Sequence, residues 1–311
     1  MKNPFILLMF LISSCTEYLD ENALPYTEKI ILGGLMVADS MVSLSILKDN
    51  AILDKYNPFD AVKGASVKLY EGDALFATLQ ETEMFYDNIS FTKYITDKKP
   101  KPGQSYRLEV EKSGFDKIIA IDKIPNPPVF SIDNVFIEAS DYYIDEYTIK
   151  FDIKIEDSPE IDYYHLVVKA NYKKEVVNLF TSESVKEDFS TELQIDTEVG
   201  LLFEYYMWDH ALFDDQLFNG EERKFSLQTY NSYIPPLPTK TDDFDPGFKI
   251  TFELRKISEP VYNFFNSSEL QWWVQGDIFA EPVQVYSNIE NGGGFFGSYN
   301  ASFSEVKPEF D

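Results

Sequence analysis

Apolar and polar residues alternate along much of the chain. Residues 148–155 read Thr-Ile-Lys-Phe-Asp-Ile-Lys-Ile, and residues 41–47 and 247–255 keep nearly the same two-residue period. Successive side chains of a strand point to opposite faces of a sheet, so this pattern predicts strands with one buried and one solvated face. Segments rich in aliphatic and aromatic residues predict further strands at 30–37, 67–70, 74–79, 106–110, 117–121, 130–139, 162–170, 201–208 and 224–230. We therefore expect an all-β, mainly antiparallel protein.

The spacing of turns and prolines divides the chain into two predicted domains. Turn sequences recur between the short strands of residues 29–124, which favours an Ig-like or transthyretin-like β-sandwich. Three prolines then fall within the four residues 125–128. Proline cannot donate a ladder hydrogen bond, so this segment predicts an extended, semi-rigid spacer. Residues 130–311 then predict a second, larger β-sandwich in tandem with the first.

One segment departs from the two-residue period and predicts a helix. Residues 258–260 read Ser-Glu-Pro, a helix start, and apolar residues follow at steps of three and four. We expect a single amphipathic helix over residues 259–272, packed on the sheet of the second domain with its aromatic stripe in the core. Trp272 and Trp273 lie at its end, where two aromatic rings can stack on a sugar. A core position for at least one of them is the favoured alternative.

The first fifteen residues have the order of a bacterial lipoprotein signal. They read MKNPFILLMFLISSC, with Lys2 ahead of an apolar run and two serines ahead of Cys15, the sole cysteine. The run is shorter than the ~20 residues that span a bilayer and fits a signal-peptide core of ~7–15. We expect removal of residues 1–14 and lipid attachment at Cys15, the alternative being a free N-terminal cysteine. Residues 15–28 then form a flexible tether.

The charge of the chain restricts its partners. The sequence has 27 basic and 53 acidic residues, a formal net charge of −26. Such a surface repels phosphate backbones and anionic lipids, so we expect no nucleic-acid partner and membrane attachment only through the lipid on Cys15. With its one cysteine assigned to the lipid, the chain has none left for an internal disulfide.

The sequence offers little evidence for catalysis or for a cofactor. His165 lies within a predicted strand and is expected to be packed, and two histidines are too few for a zinc site with cysteines. Asp209 and His210 are adjacent, so on a strand they point to opposite faces. With so many acids, pairs of carboxylates arise by chance, and a glycan hydrolase would need two of them ~5–9.5 Å apart in a cleft. The acidic loop 241–247 is either a calcium site or, as we favour, a solvated turn.

The C-terminal residues carry the clearest family resemblance. Residues 281–299 follow the pattern P-x-x-V-x-S-N-I-x-x-G-x-G-x-F-G-x-Y, apart from the extra residue of Glu290-Asn291 before the glycines. This pattern resembles an uncharacterised lipoprotein family of Bacteroidota, the domain of unknown function numbered four-two-four-nine. The acidic, aromatic and glycine residues of segment 213–220 resemble the same family. The acids that follow Cys15 also resemble a surface-export signal, although a plain soluble tether explains them equally well.

The resemblance implies a role beside TonB-dependent outer-membrane receptors, in the manner of SusD-type lipoproteins on SusC-type barrels. No catalytic residues come with this family, so the resemblance assigns none to this chain. We therefore expect a lipid-anchored, cell-surface-facing, non-catalytic binding subunit of a nutrient-uptake system. An adhesion or assembly module is the alternative, and a glycan-acting hydrolase is a weaker one.

The glycine run before the last aromatic residues has two interpretations. Residues 292–294 are all glycine, and Phe295, Phe296 and Tyr299 follow. They form either a structural bulge or turn whose aromatics close the end of the second sandwich, which we favour, or a flexible loop that contacts ligand or receptor. Together with Trp272 and Trp273, these three aromatics are the candidate contact residues.

Overall fold

The computed structural model describes residues 27–49, 60–86, 89–139, 146–177, 184–196, 205–207, 210–230, 232–233, 248–275, 279–281 and 283–310. The predicted signal with Cys15, nearly all of the tether, Asp209 and the acidic loop 241–247 lie outside these residues. Within them the chain forms nineteen strands and one helix, α1, at Glu259–Val274.

The strands follow one another in this order: β1 Ile30–Val37, β2 Val42–Lys48, β3 Ser66–Glu71, β4 Ala74–Tyr86, β5 Ile89–Thr96, β6 Ser105–Glu111, β7 Ile118–Lys123, β8 Val129–Ala139, β9 Glu146–Glu156, β10 Tyr163–Val177, β11 Ser184–Leu193, β12 Ile195–Asp196, β13 Tyr205–Met207, β14 His210–Asp214, β15 Glu222–Thr229, β16 Ser232–Tyr233, β17 Lys249–Ile257, β18 Gly293–Val306 and β19 Glu309–Phe310.

Two sheets contain all of these strands. The larger has thirteen strands in the order β13-β14-β10-β17-β18-β1-β2-β5-β4-β3-β6-β7, with β11 beside β10. The smaller has six strands in the order β12-β15-β9-β8-β19, with β16 beside β9. Among the described strands, the pairs β1–β18 and β8–β19 are parallel and the rest are antiparallel. The prediction of an all-β, mainly antiparallel fold with one helix is confirmed.

Two hydrophobic cores lie inside this arrangement. The first is formed by β1–β7, with Leu32 and Leu108 fully buried at its centre. The second lies between the smaller sheet and the β10–β17 part of the larger one. There the rings of Phe151 on β9 and Phe252 on β17 meet across the sandwich with centroids 4.8 Å apart. Each core is built from every second residue of its strands, the residues that point inward, as the two-residue period predicts.

Strand β18 joins the two halves of the protein. Gly293–Val306 pairs antiparallel with β17 of the second half and parallel with β1 of the first half. The start of this segment was expected to be a structural bulge or turn, or else a flexible loop, whereas residues from Gly293 onward form a strand. Its parallel partner, Ile30–Val37, lies at the other end of the chain, and a local pattern gives no sign of such a pairing. Phe296 consequently lies in the first core and not at the end of the second sandwich.

Two glycines allow β18 to approach its neighbours closely. Gly294 has a φ of +88°, and a Cβ there would overlap the backbone oxygen of Leu32 on β1. A Cβ on Gly297 would overlap the side chain of Val261 in the first turn of α1. Only a residue without a side chain fits both the conformation and the space at Gly294. The glycines of the C-terminal motif thus serve the packing of a strand.

The proline spacer is fixed along one face of β18. Ser298, Asn300 and Ser302 occur at every second position of the strand, so they share a face. The Ser298 hydroxyl donates to the Asp122 carboxylate at the end of β7. The Asn300 amide donates to the Pro125 carbonyl at 3.2 Å, and the Ser302 hydroxyl donates to the Pro128 carbonyl at 2.6 Å. These bonds hold the segment between the two halves against the strand that both halves share.

The helix lies where it was predicted and packs on the larger sheet. Its buried residues Val261 and Tyr262 form a third apolar cluster with Leu212 and Ile257. The ring of Phe264 stacks on Phe295 of β18 with centroids 4.2 Å apart. The first half of the aromatic stripe is therefore core, as expected.

Residues 283–289 of the C-terminal motif run beside α1 and β18. The Tyr286 amide donates to the Ser267 hydroxyl of α1 at 2.8 Å. Asn288 bonds the backbone of Phe296 twice: its Nδ2 donates to the carbonyl at 2.7 Å and its Oδ1 accepts from the amide at 2.9 Å. Strand β1 pairs with Phe296 on one side, and β17 pairs with β18 only from Tyr299 onward. The Asn288 side chain thereby satisfies the backbone groups of Phe296 in place of a second neighbouring strand.

We predict that Gly294→Ala lowers the free energy of unfolding by more than about 3 kcal/mol, because it adds a backbone clash to an unfavourable φ. Gly72→Ala is the matched control, since Gly72 has a φ of +57° but no atom lies within 4 Å of an added Cβ. We expect it to cost only about 1 kcal/mol. Urea denaturation of both variants measures the difference, and equal losses would contradict the close approach of β18 to β1.

Candidate functional site

A cleft of about 800 Å³ lies where the two halves meet. Its walls are the end of β7 with the proline spacer, the loop between β9 and β10, and the segment 256–260 that leads from β17 into α1. We call it the junction cleft. Since the spacer and segment 256–260 are both held by β18, the strand sets the width of the cleft.

The lining of the junction cleft is predominantly acidic. Its acidic residues are Asp122, Glu156, Asp157, Glu160, Asp162 and Glu259, and its basic residues are Lys123 and Lys256. A concave surface lined with one sign of charge concentrates ions of the opposite sign. The cleft therefore favours cationic over anionic ligands.

Asp122 is a buried acid at the wall of this cleft. Its side chain is held by the Ser298 hydroxyl, and only 5% of the residue is exposed. Burial raises the pKa of the Asp122 carboxyl to about 6, although the hydrogen bonds from Ser298 and Ser258 act in the opposite direction. Because this pKa lies below 7, Asp122 is charged at neutral pH, and the burial of that charge lowers the free energy of unfolding.

A cluster of three aspartates lies beside the cleft. Asp157 and Asp162 begin and end the loop between β9 and β10, and Asp215 follows β14. Two backbone contacts bring the segments together: the Asp162 amide donates to Asp215 Oδ2 at 2.8 Å, and the Asp215 amide donates to the Asp162 carbonyl at 3.2 Å. One carboxylate oxygen from each residue lies within 4.8 Å of the other two. We call these three residues the aspartate cluster.

Each carboxylate of the cluster has different partners. Asp157 accepts hydrogen bonds from the Tyr164 hydroxyl at 2.5 Å and the Gly220 amide at 2.8 Å. Asp162 forms an ion pair with Lys256 and accepts from the Ser158 hydroxyl at 2.6 Å.

Asp215 is the least satisfied member of the cluster. It is fully buried, and its Oδ1 has no hydrogen-bond partner among the residues that the structure describes. Burial, together with the nearby charges of Asp157 and Asp162, raises the pKa of the Asp215 carboxyl to about 6.

The two candidate tryptophans lie at the surface. Trp272 and Trp273 are 56% and 64% exposed, so the expectation that at least one is in the core is wrong. The apolar cluster beneath α1 takes its side chains from the first two turns of the helix, and the tryptophans lie in its last turn. Their rings meet edge to face with centroids 5.4 Å apart, and Phe279 beyond the helix is 90% exposed.

The three candidate aromatics of β18 are packed instead. Phe296 is fully buried, and Phe295 is partly buried in the cluster beneath α1. Tyr299 lies beneath the Arg255 guanidinium, 5.0 Å from the ring centroid. Phe295 and Tyr299 pack beneath the start of α1 and Phe296 packs in the first core. The tryptophans lie at the other end of α1, so the five candidates do not share one surface.

The structure describes the side chain of His165 but not that of His210. His165 is 8% exposed within β10, in agreement with the predicted packed position. His210 begins β14, but its side chain is not among those described.

Sequence reasoning missed the aspartate cluster. Segment 213–220 was noted only for its family resemblance, and no spacing rule connects it to the loop at 157–162. The loop at 157–162 is acidic, contains a proline and lies between two clearly predicted strands. Such residues are common in any turn, so this composition alone does not indicate a binding site.

We predict that Asp122→Asn stabilises the protein at pH 7.5 by up to about 3 kcal/mol and leaves it nearly unchanged at pH 4. The folded-state pKa of about 6 lies above the usual value, so the folded state binds the proton more tightly. The contribution of Asp122 to stability is therefore complete at low pH and is lost as the pH rises through 6. Denaturant unfolding between pH 4 and 8 measures the difference. Asp73→Asn, in an exposed turn, controls for net charge, and a pH-independent effect of Asp122→Asn would refute the prediction.

In the part of the chain that the structure describes, no helix has the length and apolar character of a membrane span. No curated protein matches the chain. The profile of one family, described as a domain of unknown function (DUF4249), matches residues 17–304. This match covers most of the chain, including the aspartate cluster, α1 and nearly all of β18. The protein therefore belongs to the DUF4249 family.

Proposed function

We propose that the protein is an outer-membrane lipoprotein that faces the cell surface and serves as a non-catalytic binding subunit of a TonB-dependent uptake system. The observation that carries the lipid anchor is the signal sequence ending at Cys15, the sole cysteine of the chain. The receptor partnership is what the resemblance of the C-terminal motif to its lipoprotein family implies. Two or three acyl chains on one residue hold a protein stably at a membrane, where a single chain does not.

The chain between the lipid and the first strand is long enough to present the protein to a neighbour. Residues 15–28 precede β1, and fourteen extended residues reach at most roughly 45–50 Å. Because the surface is strongly acidic, it is repelled by anionic headgroups and stays clear of the bilayer. This arrangement supports contact with a membrane-embedded partner rather than with lipid.

Trp272, Trp273 and Phe279 supply a candidate contact surface, which we call the tryptophan surface. Their exposed fractions are 56%, 64% and 90%. Large aromatic side chains contribute much of the binding energy in protein interfaces, and they also stack on sugar rings. The edge-to-face pair of tryptophans at the end of α1 therefore suits either a receptor barrel or a bound glycan.

The aspartate cluster does not have the arrangement of a glycosidase pair. Asp215 is fully buried, and Asp157 and Asp162 are held by donors from their own chain. A glycosidase needs one carboxyl group free to protonate the leaving oxygen and a second free to act on the sugar. The three aspartates do not offer that pair of accessible groups.

We predict that the wild-type protein fractionates with the outer membrane and that Cys15→Ser does not, because the serine cannot form the thioether that carries the lipid. Fractionation of the native host with immunoblotting tests this, and mass spectrometry of the purified amino terminus identifies the modification. An unmodified amino terminus, or retention of Cys15→Ser in the envelope, would contradict the proposal.

We predict that the tagged wild-type protein, solubilised in mild detergent, co-purifies with a TonB-dependent barrel. A Trp272→Ala/Trp273→Ala double variant should lower the recovery of that barrel at least about tenfold, the effect of losing ~1.4 kcal/mol of binding energy. Phe303→Ala is the control, because Phe303 is 64% exposed on β18, away from the tryptophan surface.

Three results would count against this function. A clean monomer under gentle conditions would contradict the receptor partnership. Self-association without a barrel would favour the adhesion or assembly module. Turnover of a glycan would favour the hydrolase.

A further inference from the structure

We propose that the aspartate cluster, Asp157, Asp162 and Asp215, binds a divalent cation of the size of Ca²⁺. The proposal rests on the spacing of the three carboxylates and on a fully buried oxygen that lacks a partner. It is independent of the lipid anchor and of any receptor.

The spacing of the oxygens fits a single calcium ion. Calcium binds oxygen ligands at about 2.3–2.6 Å, so two ligands of one ion are at most about 5 Å apart. In the cluster, one oxygen from each aspartate lies within 4.8 Å of the other two. Small shifts of the side chains suffice to bring all three into contact with the same ion.

The buried oxygen of Asp215 points to a missing partner. Asp215 is fully buried, and within the described part of the chain its Oδ1 accepts no hydrogen bond. Buried polar atoms are almost always paired, since an unpaired one loses its hydration without compensation. A cation held between Asp215 and the two neighbouring carboxylates supplies that partner.

The negative charge of the three carboxylates is only partly balanced by nearby positive charge. Three carboxylates face one ammonium group, Lys256, which pairs with Asp162. Among the described residues, the donors to Asp157 and Asp215 are neutral: the Tyr164 hydroxyl and the Gly220 backbone amide for Asp157, and the Asp162 backbone amide for Asp215. A divalent cation balances the remaining charge, and the acidic lining of the junction cleft draws it in.

The ligand type selects the ion. Carboxylate oxygens are hard ligands suited to Ca²⁺ and Mg²⁺, and no cysteine lies in the described residues to favour a softer metal. Mg²⁺ demands near-octahedral oxygens at 2.0–2.1 Å, whereas Ca²⁺ tolerates the wider, irregular spacing seen here. Asp157 and Asp162 also line the junction cleft, so solvent can reach an ion held there and complete its coordination.

Binding at this position would fasten two separate segments of the second half. The loop between β9 and β10 carries Asp157 and Asp162, and the segment after β14 carries Asp215. The same loop forms one wall of the junction cleft. Calcium would thus set the position of that wall relative to the second core.

The test begins with the full chain, purified in detergent and stripped with EDTA, and uses CaCl₂ alone as the probe. Extracellular calcium sites bind with Kd values of about 10⁻⁴–10⁻³ M, so about 10 mM CaCl₂ should raise Tm by about 2–8 °C. TbCl₃ should give tyrosine-sensitised emission that saturates and that CaCl₂ displaces, because the Tyr164 hydroxyl contacts a ligand carboxylate.

Two variants of the cluster and one control complete the design. Asp215→Asn should abolish most of the calcium-dependent shift and of the terbium emission, while its Tm in EDTA stays at or above the wild-type value because a buried charge is removed. Asp157→Asn should weaken calcium binding at least tenfold. Asp73→Asn, in an exposed turn that belongs neither to the cluster nor to the junction cleft, should respond to calcium as the wild type does.

The absence of any calcium-dependent shift in the wild type, together with unsaturable terbium emission, would overturn the proposal. A full response retained by Asp215→Asn would overturn it equally. A shift produced by magnesium at the same concentration and lost in Asp215→Asn would refute the assignment to calcium.

Discussion

The hydrogen bonding of β18 to strands from both ends of the chain is the constraint on which the rest of the structure depends. Gly293–Val306 pairs with β17 on one side and with β1 on the other. Its polar face holds the proline spacer, and its apolar face carries α1. Strands of both halves, which would otherwise be joined only by a linker, thus belong to one thirteen-stranded sheet, and the junction cleft between the halves acquires fixed walls.

This arrangement gives the C-terminal family motif a structural meaning. Asn288 bonds the backbone of Phe296, Phe296 fills the first core, and Gly294 and Gly297 remove side chains where β1 and α1 come close. Most of the distinctive residues are therefore accounted for by packing. The surfaces proposed for ligands and partners lie elsewhere, at the tryptophans of α1 and in the acidic cleft, and no local sequence motif indicates them.

Local pattern was a good guide to local structure and a poor one to long-range pairing. The strict alternation of residues 148–155 located β9, and the Ser-Glu-Pro start at 258–260 located α1, because both signals arise within one element. The glycine-rich β18 has weak strand propensity and is stabilised by a partner at the far end of the chain. For the same reason, no local pattern in the sequence indicates the aspartate cluster or the exposure of Trp272.

If β18 unites the two halves, its two neighbours must open together. Native-state hydrogen exchange measures this directly, because it gives an opening free energy for each protected amide. The account predicts that the amides of β1 and of β17 that bond to β18 exchange with the same opening free energy and the same denaturant dependence. Opening of β1 with the first half at a lower free energy, while β17 stays protected, would contradict it.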